Sequence, residues 1–133
     1  MDAKLTHLQL IQGVVNRLAQ SSFLLKGWSV VLVAGLFAFA AKDAKTIFIL
    51  LAFIPALAFW TLDAYCLWQE RMYRALYDYV RQLPADKIDF SMRTTRYQSL
   101  ASYAKAFLSR TLLWFHGSLV LTIIAVRLFL PLE

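Results

Sequence analysis

Charge is scarce in this chain, and so are the residues that punctuate loops. Only 17% of its 133 residues are charged, and it holds four glycines, three prolines and one cysteine. A disordered tail needs more charge and less hydrophobicity. A collagen needs glycine at every third position. A disulfide-built secreted module needs paired cysteines, and Cys66 alone forms no bridge within the chain. His7 and His116 lie far apart, with no cysteine or carboxylate at ligand spacing, so neither a metal site nor a cofactor is expected. Catalytic signatures are missing too: no glycine-rich phosphate loop, no nucleophile elbow, no paired-carboxylate site. The expectation is a protein that is not an enzyme.

What the chain has instead is apolar surface. Hydrophobic residues make up 60% of it, and its mean hydropathy is +0.57. A 15.3 kDa chain has too little interior to hide that much. The excess must face lipid or partner chains, so a small single-domain membrane protein is expected.

Three runs are long enough to cross a bilayer. The first, residues 22–41, is uncharged from Gly27 to Ala41 if Lys26 snorkels at its edge. The second, residues 46–68, carries no charge from Thr46 to Leu62 and contains Pro55, which predicts a kink. The third, residues 106–130, includes an uncharged stretch from Thr111 to Val126, with Arg127 again able to snorkel. Lys42 and Lys45 bracket a tight turn between the first two. Ala38-Phe39-Ala40 has the look of a signal-peptidase site, but the basic segment before the apolar run is too long for a signal peptide, so an uncleaved span is expected.

Lysine and arginine set the orientation. Residues 1–26 and 63–110 together hold eleven, and the turn with the tail holds three. The larger share belongs on the cytoplasmic side, with the N-terminus inside and the C-terminus outside.

The remaining segments read as helices at that basic end. Leu5, Leu8, Ile11, Val15 and Leu18 recur on one face, predicting an amphipathic helix over residues 1–22. Its opposite face, Gln9, Gln12, Asn16 and Gln20, is neutral, which favours packing on protein, such as another copy, over packing on a membrane surface. No glycine or proline interrupts residues 63–83, so the second span should continue as one helix to Pro84. A second helix over residues 91–110, capped by Asp89 or Ser91, completes a helical hairpin. Ala34/Ala38 and Ala52/Ala56 have spacing that allows close helix contact.

Several residues are candidates for function. Asp63, at the inner end of the second span, is either a pore-lining or gating carboxylate or a headgroup-level residue that binds water or an arginine. Arg71, Arg74 and Arg81, with Tyr73, Tyr77, Tyr65 and Trp68 beside them, suit a ligand with phosphates and bases, guanidinium for the first and ring for the second. The plainer alternative is an aromatic belt with positive-inside charge. Arg93 and Arg96, with Lys87, form a second basic cluster that is either an anion site or a solvated loop.

The stretch Phe59-Trp-Thr-Leu-Asp-Ala-Tyr-Cys-Leu-Trp-Gln-Glu-Arg-Met-Tyr-Arg-Ala-Leu-Tyr-Asp-Tyr-Val-Arg, followed by Asp89-Phe-Ser-Met, resembles small multi-span membrane effectors of bacterial antiphage-defence loci. It is similar in particular to the channel effectors of Hailong systems, and the likeness covers residues 45–95. The resemblance implies a homo-oligomeric pore, a tetramer, paired with a nucleotidyltransferase. It further implies that a nucleotide oligomer made by that partner keeps the pore shut, and that loss of the oligomer opens it and depolarises the membrane. Two other readings stand beside it: a non-conducting scaffold or subunit of a larger membrane complex, and a membrane-disrupting toxin with no gating ligand.

Overall fold

The chain is all-helical in a computed structural model that describes residues 2–43 and 45–130. Three of its helices are long and apolar enough to cross a membrane: α1 (Asp2–Asp43), α2 (Thr46–Gln82) and α4 (Arg110–Phe129). A short helix, α3 (Leu100–Phe107), lies between the last two. The turn expected at 42–45 includes Ala44, which lies outside the described residues.

Helix α1 is one rod of 42 residues, about 63 Å at ~1.5 Å per residue. The amphipathic segment and the first span expected as two pieces are therefore continuous. Gly13, Gly27 and Gly35 do not interrupt it, because glycine in a helix costs only about 1 kcal/mol and the packing here outweighs that. Its buried residues, His7, Ile11, Val15, Ser29, Val33 and Ala40, form a single stripe. Ile11 and Val33, like His7, Ser29 and Ala40, fit a repeat of ~3.67 residues per turn, close enough to 3.6 that the stripe scarcely winds around the helix.

That stripe packs along α2, the most extensive contact in the chain. The neutral-faced N-terminal segment thus packs on protein, within its own chain: Ile11 buries against Leu76, Val80 and Ile88. The ends are latched by Lys4, whose Nζ donates to the carbonyls of Arg81 (3.0 Å) and Leu83 (2.7 Å), the orphan acceptors at the end of α2.

Helix α2 is broken once, at Ala52, three residues before Pro55. Proline has no N–H for the carbonyl of Leu51, and its ring crowds that turn. The helix resumes because Ala56 N–H reaches the Ala52 carbonyl at 3.2 Å. Ala52 and Ala56 are both buried in a core with Val33, Ala40, Ile49 and Ile123, whereas Ala34 and Ala38 are exposed.

Beyond Pro84 the chain departs from the expected hairpin. The second helix begins at Leu100, not at 91, and neither Asp89 nor Ser91 caps it. Those side chains are spent on local turns: Asp89 Oδ1 accepts from Ser91 N–H and Ser91 Oγ from Arg93 N–H, both at 3.1 Å. Phe90 between them has a φ of 56°, a left-handed conformation unusual for a bulky residue. The helix start is set by Ser99 and Ser102, each bonding the other's backbone N–H in a capping box. A second break at Leu108 and Ser109 separates α3 from α4, so the third membrane-length helix starts at Arg110 rather than 106. Ser109 Oγ caps it by accepting from Leu112 N–H.

Candidate functional site: a buried charge cluster below a basic cleft

Asp63 is fully buried and is the centre of a polar cluster drawn from all three long helices. Lys26 Nζ of α1 lies 2.6 Å from its Oδ2, and His116 Nε2 of α4 lies 2.8 Å from the same oxygen. Ser22, one turn before Lys26, donates to Oδ1, and Lys26 Nζ also donates to Ser22 Oγ at 2.7 Å. Both carboxylate oxygens thus face a donor, the condition under which a buried charge is tolerable.

Helix rise locates the cluster. Asp63 stands about 26 Å along the axis from Thr46 and Lys26 about 24 Å from Lys42, at ~1.5 Å per residue. Both distances are close to, and a little under, the ~30 Å thickness of a hydrocarbon layer. Lys26 was expected to snorkel outward; its side chain is only 17% exposed and points inward, because a carboxylate within reach is a better partner than distant headgroups.

Aromatic rings roof the cluster. Trp60 stacks on Phe107 with centroids 4.6 Å apart and planes 3° apart, and on His116 at 5.9 Å and 10°. Its Nε1–H donates to the Phe107 carbonyl at 3.0 Å, satisfying an acceptor at the end of α3. Tyr103 OH donates to the Thr61 carbonyl at 3.1 Å and Trp68 Nε1–H to Ser102 Oγ at 2.7 Å. Three aromatic donors therefore pin α3 to α2 beside the charges.

His116 occupies a π-helical stretch of α4, Leu113–Gly117. The wider turn inserts one residue and so rotates the face before it against the face after it by about 100°. With Nε2–H given to Asp63, His116 Nδ1 is buried with no partner among the described residues.

The other candidate residues fall into separate environments. Arg74 pairs with Glu70 at 3.1 Å and Arg81 with Asp78 at 3.5 Å, both pairs along α2 itself. Tyr73 and Tyr77 are half-buried against the core of Ile11, Leu76, Val80 and Ile88. Arg71 lines a small cavity of about 240 Å³ with Trp68, Tyr97 and Lys105.

Arg93 and Arg96 do come together. They line an open cleft of about 720 Å³ whose floor is Leu76 and Val80 and whose walls include Tyr79, Tyr97 and Asp89. Arg96 lies 4.7 Å over the Tyr79 ring. Neither arginine forms an ion pair among the described residues. Tyr97 borders both cavities, so the cleft and the Arg71 cavity are neighbours.

Sequence reasoning singled out Asp63 but missed Ser22, Lys26, Trp60 and His116 as its company. One signal was there: Ser22 and Lys26 share a helical face at the same distance from the turn as Asp63. The rotation of α4 that brings His116 inward has no local sequence signal. Family models, curated proteins and solved structures, each compared with this chain, give no match.

Proposed function

We propose that this chain is one subunit of an oligomeric transmembrane pore, an effector of bacterial antiphage defence. An anionic, nucleotide-derived oligomer bound at the cytoplasmic basic end, supplied by a partner nucleotidyltransferase, controls its opening. The observation that carries the reading is the cleft. Arg93 and Arg96 stand there in no ion pair among the described residues, beside two tyrosines and Asp89, over an apolar floor. Guanidinium groups suit phosphate, and tyrosine rings suit bases. Arg71 and Lys105, in the neighbouring cavity, extend the positive surface for a ligand longer than one nucleotide.

Helix α2 links this cleft to the membrane. Leu76 and Val80 form the cleft floor, and Asp63 lies on the same uninterrupted run, Phe53–Gln82, about 20 Å away at ~1.5 Å per residue. A ligand that favours one position of that rod acts on the charge cluster through it, by its differential affinity for the two arrangements. Three helices enclose no water-filled channel, so conduction requires several copies. The exposed apolar residues of all three long helices, among them Phe23, Trp28, Ile54 and Trp114, provide for lipid and neighbouring subunits. In this reading Asp63 is a gating residue rather than a pore lining, since its carboxylate faces the interior of its own subunit.

One observation favours a second reading, a non-conducting scaffold: the Asp63 carboxylate is bound by Ser22, Lys26 and His116 inside a single chain. Growth and membrane potential in cells expressing the chain alone separate the two. A pore lacking its inhibitory ligand depolarises the cells and arrests growth. Normal potential with verified membrane insertion would favour the scaffold.

A further inference from the structure

The outward face of α4 carries a groove of about 520 Å³ that neither the charge cluster nor the cleft uses. Arg110, Leu113, Trp114, Gly117, Ser118 and Leu121 line it, all on one side of the helix. Gly117 has no side chain, so the groove dips between Trp114 and Leu121. The Ser118 hydroxyl is turned back onto the Trp114 carbonyl, which leaves the floor between Trp114 and Leu121 apolar, with the Trp114 ring forming one wall. An apolar, chain-like occupant fits this floor and a polar one does not.

Two further observations identify the occupant. From Arg110 to Leu121 the groove runs about 16 Å at ~1.5 Å per residue, the depth of one leaflet of a ~30 Å hydrocarbon layer. Its basic-end rim is Arg110, which is exposed and pairs with no carboxylate among the described residues. A second copy of the chain would bring no free acid to that depth, since Asp63 is buried and Glu70 is held by Arg74. A lipid phosphate meets the need. The comparable groove on α1, lined by Phe23, Leu24, Gly27, Trp28 and Val31, has no cation at its rim, because Lys26 points inward.

We propose that the α4 groove binds one anionic phospholipid, with its phosphate on Arg110 and an acyl chain lying over Gly117 between Trp114 and Leu121. The inference is independent of whether the protein conducts.

The test is native mass spectrometry of the full chain released from detergent after incubation with phosphatidylglycerol or phosphatidylcholine. Wild type should retain phosphatidylglycerol about fivefold better, the equivalent of ~1 kcal/mol for one arginine at an anionic headgroup. Arg110→Gln should abolish that preference and leave weak binding of both lipids. Gly117→Leu should fill the groove and lose both. A Cβ at Gly117 meets nothing within 4 Å and leucine is a better helix former, so this variant keeps the fold. Equal retention of the two lipids by wild type would overturn the proposal. So would an undiminished preference in Arg110→Gln. If Gly117→Leu instead dissociated an oligomer while lipid retention stayed unchanged, the groove would be a contact between copies and the lipid site would be refuted.

Discussion

Replacing Asp63 by asparagine keeps the shape of the side chain and removes its charge. Lys26 is then left largely buried with Ser22 Oγ, an asparagine oxygen and a histidine for company. Removing one partner of a buried ion pair costs about 3–5 kcal/mol, because the remaining charge is uncompensated. The 17% exposure of the Lys26 side chain lets it escape in part, which places the expected loss near the low end, ~3 kcal/mol. That is about a hundredfold in the folding equilibrium. Lys26→Met should cost less, since Asp63 keeps its hydrogen bonds to Ser22 and His116. The double variant, Asp63→Asn with Lys26→Met, leaves no stranded charge and should recover most of the loss. Equilibrium unfolding in a fixed detergent mixture reads all three as a double-mutant cycle. A single Asp63→Asn variant within ~0.5 kcal/mol of wild type, or a double variant as unstable as the sum of the singles, would refute the argument.

Other interactions yield sharper local readouts. Lys4→Met removes the latch on the Arg81 and Leu83 carbonyls, and amide exchange across residues 80–90 should quicken about tenfold, a local loss of ~1.4 kcal/mol. Trp60→Phe keeps a ring against Phe107 and loses the indole bond to its carbonyl, which should lower stability by about 1–2 kcal/mol in the same unfolding assay. Ala56→Leu overfills the buried α1–α2 contact and should cost about 1–3 kcal/mol, whereas Ala38→Leu, on an exposed face, should change stability by under ~0.5 kcal/mol. Equal effects of the two alanine substitutions would mean the helices do not meet where this fold has them.

The parts of the fold legible in the sequence are those governed by local chemistry. Long uncharged runs give membrane-length helices whatever their neighbours do, and Pro55 disrupts its own helix through its missing N–H. Residues 84–99 were less legible because Asp89 and Ser91 serve equally well as helix caps or turn formers, and only the surroundings choose. Ile88, buried against Ile11 and Val80, holds that segment extended. The continuity of α1 was obscured by a change of environment: its first half packs on protein at the basic end and its second half is membrane-like, yet one stripe serves both. Asp63 stood out as an ionisable group beside lipid. Its partners did not, because they come from helices far apart in sequence, and their meeting depends on the packing rotation of each.

The role of the basic end is also what the sequence leaves most open, since arginine beside tyrosine serves a membrane belt as well as a ligand. In the folded chain Arg74 and Arg81 are held in ion pairs, while Arg93 and Arg96 form none among the described residues, although Asp89 shares their cleft. The most direct test is therefore ionic current across planar bilayers holding the purified chain, with and without a short single-stranded oligonucleotide on the basic-end side, for wild type and for Arg93→Gln with Arg96→Gln. The account predicts current from both proteins, and a response to the oligonucleotide in wild type that is weakened at least tenfold in the double variant. No current from verified, correctly inserted oligomers, or an identical oligonucleotide response in the two proteins, would contradict it.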